Sequence, residues 1–286
     1  MANNYRFERQ IRLFGKDGQD KLARLRACIV GVGGLGSHLV QQFALLGLGR
    51  ITVIDPDVVD VTNMNRLIGA RFDDPYLRTP KVVVAERLSK SIDPHITVDV
   101  LKEHITTSVA FTAVRESNYV FGCVDHDGPR MVLTELCLAY KIPYFDLSSE
   151  IPTNDSLSFG GRVCFSNEGN GCLVCLDQIS QEEVQQFSMT PEQKRDVKEL
   201  YGVSTAVLED SGPSVVTLNG VVASLAATEF LVQATGLRRA TRLISYYGRK
   251  GIAVVSVDDP RPDCYYCKSV FGSKEKANVE RYLAPS

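Results

Sequence analysis

The chain has 286 residues, of which 44% are hydrophobic and 23% are charged, as in ordinary globular proteins and unlike disordered, collagen-like or low-complexity chains. Its 32 basic and 34 acidic residues give a formal net charge of −2, which argues against a nucleic-acid-binding protein because such proteins usually carry a basic excess. The N-terminus carries no apolar run, and polar side chains interrupt the longest apolar stretch, 214–236. We therefore expect no signal peptide, a buried core helix rather than a membrane span over 214–236, and a cytoplasmic location.

The first half of the chain alternates short apolar runs with helical patterns. Residues 5–25 predict one or two short helices, because apolar and basic positions recur there at helical spacing. Further along, the predicted strands are 26–32, 51–54, 96–101, 119–124 and 142–146, and the predicted helices are 37–46, 81–92 and 130–140. Strands that alternate with helices in this order predict a doubly wound, Rossmann-like α/β fold with a mostly parallel sheet.

The second half of the chain has a different pattern. Residues 157–165 and 243–257 are typical of antiparallel strands, and the stretch between them at 177–212 is polar and rich in Glu, Gln and Lys. A structureless insert of that length is usually functional or mobile. The sequence therefore predicts an antiparallel C-terminal extension of the sheet, interrupted by a polar crossover loop.

The domain organisation follows from the length and from the lack of a clear linker. A chain of 286 residues suits two domains or one large α/β unit. Because no linker separates the halves, we expect a single domain over 1–286. Its parts are N-terminal helices at 1–25, a nucleotide-binding half at 26–150 and a C-terminal half at 151–286.

A glycine-rich turn is the first candidate binding feature. The motif Gly31-x-Gly33-x-x-Gly36 follows a predicted strand and precedes a predicted helix. Such a turn lets backbone N–H groups approach phosphate oxygens at a helix N-terminus. Asp55 ends the next predicted strand, where a carboxylate can accept hydrogen bonds from ribose hydroxyls. The pattern predicts a nucleotide site, although a tight turn without a ligand has the same motif and the motif does not distinguish NAD(P) from ATP.

A set of polar residues after Asp55 favours ATP. Asn63, Arg66 and Lys81 offer an amide, a guanidinium and a point charge to a triphosphate. Two further acids, Asp57 and Asp125, also follow predicted strands, and a single carboxylate such as Asp125 suits Mg²⁺ bound to phosphates. Taken one at a time, these residues also fit solvated helix charges or helix caps. An oxidoreductase that transfers hydride needs no such phosphate-binding set, so their combination favours an ATP-dependent enzyme.

The eight cysteines fall into two groups. Two C-x-x-C pairs consist of Cys172 and Cys175, and of Cys264 and Cys267. Two such pairs supply the four thiolates of a closed tetrahedral zinc site, which has no open position for catalysis. Thiol redox chemistry and inert thiols are the alternatives. The other four cysteines stand alone in apolar segments and are predicted to be buried: Cys28, Cys123, Cys137 and Cys164.

The order of these motifs resembles that of the ubiquitin-activating-enzyme-like adenylyltransferases, the ThiF/MoeB/HesA family. The shared elements are RFERQIRLFG at 6–15, GVGGLGS at 31–37, DPDVVDVTNMNR at 55–66, TPK at 79–81, GCVDHDGPR at 122–130 and the two C-x-x-C pairs. The resemblance implies that ATP adenylates the C-terminal carboxylate of a ubiquitin-like or sulfur-carrier protein with a Gly-Gly tail. Pyrophosphate would leave as the acyl-adenylate forms.

The resemblance also implies roles for individual residues. By this resemblance, four glycines would line the nucleotide: Gly31, Gly33, Gly34 and Gly36. Asp55 would hold the ribose, and Asp125 would hold Mg²⁺. The phosphates would be held by Asn63, Arg66 and Lys81. Arg9 resembles an arginine that reaches the phosphates of the other protomer. We therefore expect a homodimer.

The crossover loop departs from the pattern of many relatives, which carry a nucleophilic cysteine there. The stretch 177–212 contains no cysteine, so transfer to an external acceptor is expected: a sulfur donor, an amine or the cysteine of a conjugating enzyme. An oxyester on Ser204 or Thr205 is an alternative. Further alternatives are an NAD(P)-dependent oxidoreductase, a non-catalytic scaffold for ubiquitin-like proteins and an enzyme with a peptide rather than a protein substrate.

Overall fold

A computed structural model of the protein describes residues 3–152, 158–189 and 213–284. The described strands are β1 (Arg26–Val30), β2 (Arg50–Ile54), β3 (Thr97–Leu101), β4 (Tyr119–Gly122), β5 (Tyr144–Glu150), β6 (Gly160–Ser166), β7 (Leu243–Tyr247) and β8 (Ile252–Val255). They form one sheet in the order β3-β2-β1-β4-β5-β6-β7-β8. The first five strands are parallel, and the last three are added antiparallel. The predicted α/β class, with a mostly parallel sheet and an antiparallel extension, is confirmed.

The described helices are α1 (Asn3–Arg6), α2 (Glu8–Leu22), α3 (Gly34–Leu46), α4 (Lys81–Ile92), α5 (Ser108–Arg115), α6 (Asp127–Ala139), α7 (Gln181–Ser188) and α8 (Val216–Thr235). Among them, α3 begins at Gly34 and α6 begins at Asp127, each three residues earlier than predicted. Strand β4 ends earlier than predicted, so Asp125 lies in the loop between β4 and α6 rather than at a strand end.

Helix α7 corrects the prediction that the polar stretch 177–212 lacks regular structure. Its start is set by Ser180, whose Oγ accepts a hydrogen bond from the Glu183 N–H at 3.4 Å. Glu182 and Glu183 lie in the first turn, where negative charge is favourable to a helix. The crossover region therefore begins as an ordered helix on the core of the protein.

Helix α8 is the one described helix that is long and apolar enough to span a membrane. It packs instead against α3 and against strands β5 and β6. The ring of Phe230 lies 5.0 Å from Phe43 and 5.5 Å from Phe121, and all three side chains are fully buried. Glu229 is also buried and forms an ion pair with Arg238 at 2.6 Å. This packing agrees with the predicted core helix.

The topology opens a crevice at the carboxyl edge of the sheet, where the parallel strands end. The chain leaves β1 toward β2 on one side, whereas β4 and β5 lie on the other side. At this switch point the Gly31 N–H donates to the Ile54 carbonyl and the Cys123 N–H donates to the Val30 carbonyl, both at 2.8 Å. Open α/β sheets bind ligands at such a point.

Candidate functional site

The glycine turn fills the inner end of the crevice. Gly31 has φ +87°, and a Cβ there would lie 2.5 Å from the Cys123 carbonyl oxygen. A Cβ on Gly36 would collide with the Gly31 carbonyl oxygen, so this glycine lets α3 pack tightly on the turn. Gly33, by contrast, faces open space. The N-terminus of α3 is therefore rigidly placed and accessible, as an anion site at a helix N-terminus requires.

Asn219 of α8 is a part of this edge that the sequence analysis missed. The residue is 1% exposed, and its side chain donates to Ser214 Oγ at 3.0 Å and accepts from Ser149 Oγ at 2.8 Å. A Cβ on Gly34 would collide with the Asn219 amide, so the amide lies directly against the glycine turn. A buried amide in an apolar helix is energetically costly unless it is hydrogen-bonded. An asparagine inside the apolar stretch 214–236 was therefore the signal in the sequence that could have pointed to this residue.

Asp55 joins the two turns that follow β1 and β2. Asp55 is 5% exposed, and its carboxylate accepts hydrogen bonds from the N–H groups of Val32 at 2.7 Å and Asp57 at 2.9 Å. Burial raises the pKa of Asp55, while the nearby charge of Lys81 and the two N–H groups oppose that rise. The predicted ribose ligand thus lies at the carboxyl edge and is fixed by backbone hydrogen bonds.

Lys81 is the first residue of α4 and already has an anionic partner. Its Nζ lies 2.7 Å from Asp57 Oδ2. The lysine side chain is mostly buried, whereas that of Asp57 is 61% exposed. The pair lies beside Asp55, since the Asp57 N–H donates to the Asp55 carboxylate at 2.9 Å. A bound polyphosphate would compete with Asp57 for this ammonium group.

Asn63 and Arg66 lie on and just after a single helical turn, Val61–Asn63. The Asn63 side chain caps this turn by accepting the Asp60 N–H at 3.1 Å. Arg66 donates to the Thr62 carbonyl at 2.6 Å, and its Cδ would lie 3.4 Å from a Cβ on Gly34. The guanidinium stem of Arg66 is therefore a neighbour of the glycine turn.

Asp125 lies in the loop between β4 and α6 and is exposed. Its side chain makes no hydrogen bond or ion pair with the residues that the structure describes. The two residues before Asp125 contact the glycine turn, because the Cys123 carbonyl and the Val124 N–H lie beside Gly31. Asp125 thus offers a free carboxylate at the same edge of the sheet.

Of the residues predicted to contact ATP, Arg9 is the one that lies elsewhere. It is exposed on α2, and α2 docks at the far end of α3. Gln10 donates to the Leu46 carbonyl at 3.0 Å, and the Phe7 ring lies against Gly47. Because a helix of 13 residues is about 20 Å long, the structure does not bring Arg9 to the glycine turn of its own chain.

The four cysteines of the two C-x-x-C pairs converge. Their sulfur atoms lie within 4.8 Å of one another. Cys172 and Cys264 are 3.7 Å apart at Sγ, and Cys175 and Cys267 are 3.8 Å apart. Tetrahedral zinc with Zn–S bonds of about 2.3 Å requires sulfur separations of about 3.8 Å. The thiol set therefore fits a zinc ion.

This thiol cluster lies at the edge of the sheet opposite the crevice. Ser166, the last residue of β6, pairs with Tyr144, the first residue of β5, and the first C-x-x-C pair follows Ser166 within a few residues. The crevice lies at the other ends of the parallel strands. The cluster is thus remote from the glycine turn.

The four single cysteines are buried, as predicted. Burial raises the pKa of Cys28 and of Cys164 to about 12. It also raises the pKa of Cys123 and of Cys137 well above the usual value of a thiol. Such thiols are poor nucleophiles at neutral pH. Ser204 and Thr205 lie outside the residues that the structure describes.

Comparison with known proteins identifies the family. The family model described as "ThiF family" matches residues 7–266. The chain belongs to the ThiF family. The ThiF resemblance of the sequence motifs is thereby confirmed.

Two curated relatives and one solved structure illustrate the likeness of this ThiF-family chain. The molybdopterin-synthase adenylyltransferase of Escherichia coli is 29% identical over 178 residues, which are 61% of this chain and 68% of the relative. The adenylyltransferase and sulfurtransferase MOCS3 of Arabidopsis thaliana is 29% identical over 175 residues, 60% of this chain and 36% of the relative. The ThiF-family chain thus spans only about a third of that plant protein. The structure of E. coli MccB with ATP shares its fold, with TM-score 0.69 and 19% identity over 92% of this chain and 74% of MccB.

Proposed function

We propose that this protein uses ATP and Mg²⁺ to adenylate the C-terminal carboxylate of a ubiquitin-like or sulfur-carrier protein, releasing pyrophosphate. One observation carries the proposal: the glycine turn, a buried carboxylate, two cationic side chains and a free carboxylate meet at one edge of the sheet. Membership of the ThiF family and the adenylyltransferase names of the relatives support it.

The chemistry suits these residue types. The substrate carboxylate is ionised at neutral pH, so its attack on the α-phosphorus needs no general base. As the new O–P bond forms, the bond to the β-phosphate oxygen breaks and pyrophosphate leaves. The barrier is repulsion between anions and the growing charge on the leaving group. Arg66, Lys81, the N–H groups of α3 and Mg²⁺ held by Asp125 would stabilise that charge.

An apolar cavity of about 360 Å³ beside the crevice suits the incoming tail. It is lined mainly by apolar and aromatic side chains, together with one threonine: Ile151, Phe159, Val215, Thr217, Leu218, Val221 and Tyr246. Leu218 precedes the buried amide that touches the glycine turn. Apolar side chains near the end of a carrier tail, or of a peptide, would fit here with the carboxylate directed toward the phosphates.

We further propose a homodimer in which Arg9 completes the site of the partner protomer. Its position at the far end of α3 supports this role, because Arg9 does not reach its own glycine turn. We also propose that the four-thiol cluster binds a structural zinc ion and that residues 1–286 form one adenylation domain. The continuous sheet from β3 to β8 supports the latter.

We propose that the acyl group passes to an external acceptor, since the single cysteines are buried. The acceptor is a sulfur donor, an amine or a thiol of a conjugating enzyme. In the alternative, Ser204 or Thr205 would accept the acyl group and form an oxyester on this chain.

ATP–pyrophosphate exchange tests the proposed function. The assay uses small carrier proteins ending in Gly-Gly from the same genome, with and without Mg²⁺. We expect exchange only with a carrier and Mg²⁺, and a loss of about 100-fold or more in Asp125→Ala, because a charge-stabilising group is removed. Asp259→Ala is the control, since Asp259 is 94% exposed and lies after β8, away from the crevice.

The outcomes separate this function from hydride transfer. Normal exchange in Asp125→Ala, with an unchanged unfolding temperature, would remove that residue from the mechanism. Thermal stabilisation by NAD(H) but not by ATP with Mg²⁺ would favour the oxidoreductase alternative instead.

A further inference from the structure

We infer that Asp127 and Glu183 are positioning residues that hold the Asp125 loop in place by clamping the N-termini of α6 and α7 together. The inference rests on the proposed function, because Asp125 is the residue proposed to hold Mg²⁺. Neither Asp127 nor Glu183 belongs to the phosphate-binding set, and the two are separated by more than 50 residues of chain.

The clamp consists of two reciprocal hydrogen bonds. The Ser180 N–H, at the start of α7, donates to Asp127 Oδ2 at 2.6 Å. The Asp127 N–H, at the start of α6, donates to Glu183 Oε2 at 3.3 Å. Each helix thus receives a carboxylate from the other at its N-terminus, where unpaired N–H groups and the helix dipole favour negative charge.

Buried charge fixes the α6 side of the clamp. Asp127 and Arg130 are each 8% exposed, and Arg130 Nη1 donates to Asp127 Oδ1 at 2.8 Å. Arg130 Nε lies 3.6 Å from the fully buried Asp146. Asp146 in turn accepts from Arg162 at 2.5 Å. Asp127 therefore has both oxygens engaged, and turning away would leave the buried Arg130 guanidinium with only the longer contact to Asp146.

Arg162 ties the same network to the chain before α7. Its Nη2 donates to the Gln178 carbonyl at 2.8 Å. On the other side of the clamp, the Phe187 ring packs on Gly128, where a Cβ would collide with it. Helix α7 thus contacts α6 at three points: Ser180 at its N-cap, Glu183 in its first turn and Phe187 in its last turn.

The consequence for the site follows from chain distance. Asp125 is two residues before Asp127 and is exposed without a described partner of its own. Its position is therefore set by the backbone on either side. Before Asp125, Cys123 contacts the glycine turn, and after it the clamp holds the start of α6. Mg²⁺ demands near-ideal octahedral geometry, so a loosened α6 N-terminus would weaken metal binding before it weakened nucleotide binding.

The test measures nucleotide affinity with and without metal in Asp127→Asn and Glu183→Gln. Calorimetry with a non-hydrolysable ATP analogue gives the affinity for the metal-free form and for its Mn²⁺ complex. We expect both variants to bind the Mn²⁺ complex about 10-fold more weakly, as is typical when a group that orients a metal ligand is removed. Affinity for the metal-free analogue should stay at the wild-type value.

Glu182→Gln is the matched control, since it makes the same change one residue away on α7, at an exposed side chain. It should behave like the wild type. Equal losses for both nucleotide forms, no loss for either, or the same loss in Glu182→Gln would each overturn the inference. The double variant Asp127→Asn/Glu183→Gln should lose less than the product of the single losses, because both break one clamp.

Hydrogen exchange provides a readout that does not depend on nucleotide. Amides of 180–187 should exchange faster in Asp127→Asn than in Glu182→Gln, and equal rates would overturn the clamp. A wild-type protein that binds neither nucleotide form would overturn the proposed function, together with the metal role of Asp125, whatever the exchange rates show.

Discussion

Asp55 serves the fold and the candidate site with one carboxylate. Its oxygens accept one backbone N–H group each, from Val32 and Asp57. A carboxylate oxygen has more than one lone pair, so both can still accept from ribose hydroxyls. Binding ribose at Asp55 would not require a protein hydrogen bond to break, whereas a phosphate at Lys81 would compete with Asp57 for the ammonium group.

Burial of the single cysteines predicts that no thioester forms on this protein. After incubation with ATP, Mg²⁺ and a carrier, a non-reducing gel should show no adduct that thiols remove. The physical reason is that burial raises the pKa of Cys28 and Cys164 to about 12, which leaves almost no thiolate at neutral pH. As a control, a maleimide reagent should label these thiols only after unfolding.

An adduct that thiols remove would contradict this prediction and show that one of the cysteines is accessible. An adduct that resists thiols but is cleaved by hydroxylamine would instead support the oxyester on Ser204 or Thr205.

Local sequence predicted the glycine turn, Asp55, Asp57, Asn63, Arg66, Lys81 and Asp125 at one edge, because each follows a parallel strand or begins a helix there. It did not predict Asn219, Asp127 or Glu183. Their partners lie far away in the chain: Ser149 for Asn219 and Ser180 for Asp127. Such contacts depend on how helices pack, which no local pattern contains.

At the scale of elements, the four-thiol cluster predicts a metal-dependent stability. Elemental analysis should find about one zinc per chain. Cys172→Ser should lose the metal and lower the unfolding temperature, since structural zinc contributes directly to folding. Cys164→Ser is the matched control, because it removes a buried thiol from β6 outside the cluster and should keep the metal.

A Cys172→Ser variant with full stability, or a wild-type protein without metal, would contradict the zinc site. Loss of metal in Cys164→Ser would show that any damage to this region releases it.

The strands were predictable because each is a short apolar run in a sheet covered on both faces. The residues at which the helices begin were less predictable. The first turn of α3 contains two glycines, which are poor helix formers, yet Gly36 packs closely on Gly31 and the turn is helical. Helix α7 has a polar sequence, and the contacts of Asp127 and Phe187 with α6 add to its own cap. In both cases tertiary contacts decide what propensity leaves open.

At the scale of the whole molecule, the position of Arg9 predicts composite sites in a dimer. Arg9→Ala and Lys81→Ala should each abolish exchange activity. Mixing and reassembling the two variants should restore about a quarter of the wild-type activity, since half of the dimers would carry one intact site out of two. The measurement is ATP–pyrophosphate exchange before and after mixing, with size determined by light scattering.

Arg12→Ala provides the comparison for Arg9→Ala. Arg12 is also exposed on α2, where it pairs with Glu8, and its loss should leave exchange unchanged. A mixture no more active than its parents would place Arg9 outside the partner's site. A monomer with full activity would remove the dimer from the mechanism.

The sulfur atoms of Cys172 and Cys264 are neighbours although the two residues are 92 positions apart in the chain. In the unfolded chain, one C-x-x-C pair can hold a metal ion, but joining both pairs must close that long loop, at an entropic cost of about 4–5 kcal/mol. The folded chain presents both pairs already joined, so it would bind the proposed zinc ion more tightly by a corresponding amount. By linkage, this difference in affinity would add to the free energy of folding, and the added stability would grow with the free zinc concentration. The folded state would then be most stable where zinc is abundant and least stable where other proteins compete for zinc.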